Sequence, residues 1–249
     1  PATPYTAARS GSGTESKALT HMFLKKAVIN QSRFPTRTEY PFNLEIFQQT
    51  SSLEFDTPVT IFVGENGTGK STLLTALCRK CNIYIWRGED RRRCTNNPYE
   101  DMLDSVLDIE WHDDPVPGTF FAPELFRHFS QLIDEWEEAS PGLLDYFGGK
   151  SLLTQSHGQS CLSYFKSRFR IKGIHFLDEP EAALSPASQL EFVKVITEMG
   201  EAGVAQFLIS THSPIIMSCS QATIYSFDSI PISRIDYRDT AHYRIYKEF

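Results

Sequence analysis

The chain has 249 residues, 41% of them hydrophobic and 22% charged, with a formal net charge of -7. Such a composition excludes wholesale disorder, and no apolar run reaches the roughly 18 residues needed to cross a bilayer as a helix. The acidic balance argues against a globally basic nucleic-acid binder and leaves room for a local basic patch.

Residues 1–21 are rich in Ser, Thr, Ala and Gly with almost nothing to pack. They read as a disordered leader, an expression remnant in preference to a native arm, and stand outside the fold. Residues 22–249 are expected to form one domain. Phe23-Leu24-Lys25-Lys26-Ala27-Val28-Ile29 reads as a first strand, and Val59-Thr60-Ile61-Phe62-Val63 as a short buried one. A glycine-rich turn and a helix over about 70–80 follow. From 87 to 117 the sequence is charged, contains Pro and lacks a strong period; from 120 to 170 it is aromatic and helical. The whole of 87–170 is expected to be an inserted lid or helical subdomain. Its basic cluster, Arg87, Arg91, Arg92 and Arg93, reads as a solvated charge run before a phosphate or nucleic-acid contact.

Ile174-His175-Phe176-Leu177 reads as a buried strand. Ser185 then supplies a helix cap and Pro186 a first helical residue, ahead of Leu190, Val193, Ile196 and Met199, with a stop around Gly200 and Gly203. Gln206-Phe207-Leu208-Ile209 is a third apolar run. Two such runs joined by a helix imply a right-handed parallel crossover and a sheet covered on both faces. The tail alternates through Ile224, Ser226, Ile232, Ile235 and Tyr237, as a terminal strand pair or meander does. Five cysteines, one C-x-x-C pair (Cys78 and Cys81) and no second pair point to reduced thiols rather than zinc. With no signal peptide, the expected compartment is the cytoplasm.

Gly64-Glu65-Asn66-Gly67-Thr68-Gly69-Lys70-Ser71 fits G-x-x-x-x-G-K-[ST], directly after a predicted strand and running into a predicted helix. Glycines let backbone N–H groups face inward as an anion nest, and the helix N-terminus adds positive potential. Lys70 would reach the β- and γ-phosphates, the Ser71 hydroxyl would ligate Mg²⁺, and Thr72 extends the phosphate-binding run. Asp178, at the end of an apolar strand, would bind Mg²⁺ through water; Glu179, next along, would orient or deprotonate an attacking water. Alone, an Asp-Glu pair more often just solvates a strand end. Beside a phosphate loop it becomes the second half of a site.

Three further runs follow the loop: Ser156-His157-Gly158-Gln159-Ser160, Leu177-Asp178-Glu179-Pro180 and Ser210-Thr211-His212-Ser213-Pro214. With Glu181-Ala182-Ala183-Leu184-Ser185-Pro186 and Asp239-Thr240-Ala241-His242-Tyr243, the chain resembles the ABC-type P-loop ATPases. More narrowly it resembles the small stand-alone AAA/ABC ATPases related to the RecF, SMC and OLD proteins, over essentially 22–249. The resemblance implies an α/β fold with a mainly parallel central sheet, a flanking antiparallel sheet and a small helical lid. It implies that Ser156, Gly158 and Gln159 form a signature loop capping the γ-phosphate of ATP held by a second protomer, although His157 replaces a Gly of the transporter pattern. His212 matches the switch histidine. Ser185 stands where the D-loop usually has Asp. No Gln matches the Q-loop; Glu124, after Phe120-Phe121, takes that place as a weak further metal ligand. Tyr40 or Phe42 could stack on adenine, though a core or surface role is the commoner fate of such an aromatic.

The implied activity is Mg-dependent ATP hydrolysis with Lys70, Glu179 and His212 as catalytic groups. An ATP-dependent homodimer is implied as a switch in DNA metabolism, repair or phage defence, with nucleic acid or an effector protein as partner. The alternative is the ATP-binding subunit of a membrane transporter. The short stretch between Ser71 and Ser156, the missing Q-loop Gln and the variant signature point away from it. A small-molecule kinase on the same loop would need neither the signature run nor His212.

Overall fold

The computed structural model describes residues 22–86, 97–147, 149, 151–154 and 156–248; the leader at 1–21, the arginine cluster and Cys94 lie outside them. In chain order the elements are β1 (Leu24–Ile29), α1 (Glu45–Gln49), β2 (Ser52–Glu54), β3 (Val59–Val63), α2 (Lys70–Lys80), β4 (Leu107–Trp111), β5 (Gly118–Phe121), α3 (Pro123–Ala139), α4 (His157–Arg168), β6 (Gly173–Asp178), α5 (Pro186–Glu201), β7 (Ala205–Ser210), α6 (Pro214–Met217), β8 (Ala222–Ser226), β9 (Ser233–Ile235) and α7 (Ala241–Glu248).

The central sheet has the order β5-β6-β7-β3-β8-β9, parallel throughout except for the antiparallel β8–β9 hairpin that ends it. All five residues of β3 are buried, as a strand covered on both faces requires, and its β-branched Val, Thr and Ile suit a pleated surface. Side chains alternate. Phe62, Ile174, Phe176 and Leu208 face Leu73, Leu74 and Leu77 of α2 together with Leu24, Ala27, Ile29 and Leu53 of the second sheet. Val59, Ile61, Val63, Leu177, Phe207 and Ile209 face Phe165 of α4 and Phe192 and Ile196 of α5. Helices α2 and α4 therefore pack against opposite faces of one sheet.

The second sheet is antiparallel, in the order β2-β1-β4. One buried amide ties it to the first: the Gln206 Oε1 accepts from the N–H groups of Phe23 (2.9 Å) and Leu24 (2.7 Å), and its Nε2 donates to the Leu24 carbonyl (2.9 Å).

The α/β architecture with two sheets is the expected one, and the predicted strands and the helix at 70–80 are in place. Two differences matter. Within the stretch expected as a lid, 107–111 and 118–121 belong to the sheets, so its helical part starts only at Pro123. In α5 the buried stripe runs through Gln189, Phe192, Ile196 and Gly200, while Leu190 is 60% exposed. Gln189 tolerates burial because it donates to the Leu184 carbonyl at 3.0 Å and accepts from the Ser213 hydroxyl at 2.5 Å. Cys78, Cys81, Cys161 and Cys219 are free and buried, and burial pushes the Cys81 and Cys161 thiols up to about 12. Such thiols are poor nucleophiles.

Candidate functional site

Strands β6, β7 and β3 are neighbours, so the loops leaving their C-terminal ends share one rim, where open parallel sheets place their ligands. After β3 the chain turns through Gly64 (φ +145°), Gly67 (φ +80°) and Gly69 (φ +102°) before α2 begins. At Gly69 the need for glycine is double: the left-handed backbone, and a Cβ that would lie 2.8 Å from Phe47 Cζ. The loop is also tied to the far end of the chain. Asp228, beyond β8, accepts the Glu65 N–H at 2.7 Å, and a Cβ at Gly64 would come 2.9 Å from the same Asp228 oxygen.

Lys70 is only 4% exposed. Its ammonium donates to the carbonyls of Gly64 (2.7 Å) and Glu65 (2.8 Å). Burial pulls its pKa down, opposed by Glu179, Asp228, Asp178 and Glu65 around it. Beside it the Ser71 hydroxyl donates to Asp178 Oδ1 at 2.8 Å, and the Ser210 hydroxyl donates to the same oxygen. The pair predicted to share a metal is thus in contact, and its hard oxygen donors are the type Mg²⁺ prefers.

Glu179 follows with φ +45° and ψ +52°, a left-handed conformation uncommon outside glycine. This breaks the strand's alternation, and the backbone is held by the Glu179 N–H donating to the Ser210 carbonyl at 3.0 Å. His212 Nε2 sits 3.7 Å from Glu179 Oε1. The His212 N–H donates to Glu181 Oε1 at 2.5 Å, which fixes the backbone behind the ring. Burial, then the Lys70 charge, lowers the His212 pKa, while Glu179 opposes them. Burial raises that of Glu181. One rim therefore gathers Lys70, Ser71, Asp178, Glu179 and His212.

The signature run is elsewhere. Ser156 caps α4, with the Gln159 side chain returning to the Ser156 N–H at 3.3 Å in a capping box. Ser156 and Gln159 are exposed, and a Cβ at Gly158 would come 3.1 Å from the Ala183 carbonyl. Among the described residues no hydrogen bond joins Ser156, Gly158 or Gln159 to the phosphate loop. Glu124, exposed in the first turn of α3, makes no hydrogen bond or ion pair with Ser71 or Asp178 among the described residues.

Phe42 is buried to 0% exposure and packs on Phe34 with ring centroids 4.9 Å apart, so it takes the core role favoured over base stacking. Tyr40 remains accessible. Its hydroxyl bonds that of Thr72, and it lines a hollow of about 180 Å³ with Thr72, Thr75 and Arg79. Ser185 serves as the α5 cap, accepting from the Ser188 N–H at 3.2 Å. Glu181 and Ser210 stand in runs singled out from the sequence but without a role assigned to them, and Asp228 was not singled out. The available signal was position: a polar residue at or just past the end of a buried strand on this same rim.

Comparison with known proteins is consistent with this layout. A family model described as an AAA domain matches residues 42–81, the stretch carrying the phosphate loop. No curated protein matches. Among solved structures, an ATP-binding cassette of an ABC transporter in its ADP conformation is 15% identical, covers 91% of this chain and 99% of that one, and superposes with a TM-score of 0.50. The SMC head domain from Thermotoga maritima is 15% identical over 86% of this chain and 100% of that one, with a TM-score of 0.46. The chain has the fold of an ATP-binding cassette.

Proposed function

We propose that the protein is a Mg-dependent ATPase whose catalytic site is completed by a second copy of the chain. The observation that carries the hydrolytic part is the convergence of Lys70, Ser71, Asp178, Glu179 and His212 on one rim. Lys70 is held ready by two loop carbonyls that a triphosphate oxygen can replace, and free backbone N–H groups of the glycine loop would hold the remaining phosphate charge. Ser71 and Asp178 would hold Mg²⁺, which when bound neutralises phosphate charge. Glu179 orients and accepts a proton from the attacking water. His212, its backbone fixed by Glu181, donates toward the γ-phosphate. Phosphoryl transfer needs positioning and charge neutralisation more than covalent chemistry, and these residues supply both. Tyr40 and the hollow beside Thr72 and Thr75 offer the place for the base.

Completion by a second copy is supported by the sheet. The phosphate loop opens α2 on one face, the signature run opens α4 on the other, and Ser156 and Gln159 point into solvent. ATP is then interfacial glue, and loss of the γ-phosphate removes the contacts that favour the closed pair. By the motif resemblance, the output is assigned to DNA metabolism, repair or phage defence through a partner. Stimulation of hydrolysis by DNA tests that assignment against a transport role. Glu179→Gln tests the cycle itself: ATP is bound, phosphate release falls by on the order of a hundredfold or more, and the protein elutes as a dimer in ATP and Mg²⁺ but not in ADP. A Glu179→Gln protein that hydrolyses ATP at the wild-type rate would refute the catalytic assignment.

A further inference from the structure

The tail helix α7 contributes no buried residue, yet its start is tightly fixed. Thr240 is 2% exposed; its hydroxyl donates to the Tyr237 carbonyl at 2.8 Å and accepts the Tyr243 N–H at 3.2 Å. The Tyr237 and Tyr243 rings pack at 5.0 Å, and Arg244 pairs with Asp239 at 3.4 Å. These contacts lie within 237–244 and set how the helix leaves the preceding turn, with the buried Thr240 seating its start against the rim. Ala241 lies in a hollow with Glu65 and Thr68 of the phosphate loop. The next residue, His242, sets its ring 5.5 Å from that of His212, the two planes inclined by 56°. His242 makes no hydrogen bond or ion pair among the described residues, and His212 Nε2 is buried with no hydrogen-bond partner.

From these contacts we infer that His242 is a positioning residue for ATP hydrolysis, holding the His212 ring with its Nε2 edge toward Glu179 and the γ-phosphate. The inference rests on the ATPase reading above. Glu179 stands on the Nε2 side of the ring and His242 beside it, so swinging the ring away from the rim displaces it from both. Around His212 the titratable groups are Glu179 and Glu181 beyond β6, Lys70 at the start of α2, Glu65 in the loop and His242 on α7. His242 brings a like charge when protonated, which adds to the lowering of the His212 pKa.

The test uses the whole chain and His242→Ala, His242→Gln and His212→Ala, alone and combined. Steady-state hydrolysis of His242→Ala is expected to show kcat reduced on the order of tenfold with KM within about twofold, since a small misplacement of a catalytic group costs rate rather than binding. His242→Gln recovers part of the loss. The double variant is no slower than His212→Ala alone, because the two act as one unit. An additive loss, or an unchanged kcat in His242→Ala, overturns the inference. A second readout needs no turnover: in nucleotide-free protein, NMR titration of the His212 ring gives a higher pKa in His242→Ala than in wild type. An identical titration overturns the inference even if the ATPase reading stands. Failure of wild type to hydrolyse ATP, with the His212 titration shifted as expected, would instead contradict the ATPase reading and leave the ring contact established.

Discussion

Asp228 lies 163 positions from Glu65 and takes its N–H at 2.7 Å, so one carboxylate at the end of β8 sets the first turn of the phosphate loop. Its removal strips a charge-assisted bond without touching a phosphate-facing group. Asp228→Ala is expected to weaken ATP binding by on the order of tenfold, about 1.4 kcal/mol, while leaving the secondary structure intact. Titration with a fluorescent ATP analogue checks this, and unchanged affinity would show the tether to be idle. A second residue-level consequence concerns acid stability. His175 is buried between Phe169 and Phe207, at ring distances of 4.7 and 5.4 Å, with Nδ1 against the Thr119 hydroxyl at 2.8 Å. Burial, helped by the Arg168 charge, pushes its pKa down from 6.5 to about 3. Between those values the unfolded chain binds a proton that the folded one refuses. Stability is therefore full above about pH 6.5 and falls as pH drops toward 3, by up to about 1.4 kcal/mol per pH unit from this group. His175→Phe should flatten that acid-side slope between pH 6 and 4.5, read from urea midpoints. An unaltered slope would mean that the ring titrates normally in the fold.

Among the elements, the joint between the two sheets rests on few polar atoms. Gln206, at 0% exposure, satisfies two N–H groups and one carbonyl of β1 and its approach. Gln206→Leu keeps the volume and orphans all three, which should cost about 3 kcal/mol or more, since each buried unpaired group costs about 1–3 kcal/mol. Chemical denaturation measures it, and a loss under about 0.5 kcal/mol would mean that the joint does not depend on the Gln206 amide. The elements that hold the rim were the legible ones. β3, β6 and β7 are continuous apolar runs because both faces are covered, and α2 is announced by the glycines and Lys70 before it. β4 was hidden because its outward residues are charged: Asp108 pairs with Arg33 at 2.6 Å and Glu110 with Lys25 at 3.6 Å, so its alternation reads as a charged stretch. β5 is four residues on the sheet edge, too short for a period to register. The same logic divides the site. Lys70, Ser71, Asp178, Glu179 and His212 stand in contiguous motifs. Asp228 is a single carboxylate whose partner, the Glu65 N–H, lies far along the chain, with nothing beside it in sequence to mark it; Glu181 stands in the run after Glu179, but its partner is the His212 N–H 31 positions on.

For the molecule as a whole, the sheet itself separates the two halves of the proposed catalytic site. The phosphate loop and α2 belong to the face shared with the antiparallel sheet, and the signature run and α4 to the other; in the shared-site proposal the missing half comes from a second chain related by a two-fold axis. Mixing two inactive variants tests this most directly. Lys70→Ala disables the phosphate loop and spares the signature run; Ser156→Arg does the reverse. In a mixed pair, one of the two sites combines an intact loop with an intact signature. If the halves come from different chains, an equimolar mixture should recover up to about a quarter of the wild-type ATPase rate, as a random two-fold pairing dictates. If activity stays at the level of the separate variants although both fold and associate, each chain closes its own site and the shared-site reading is wrong.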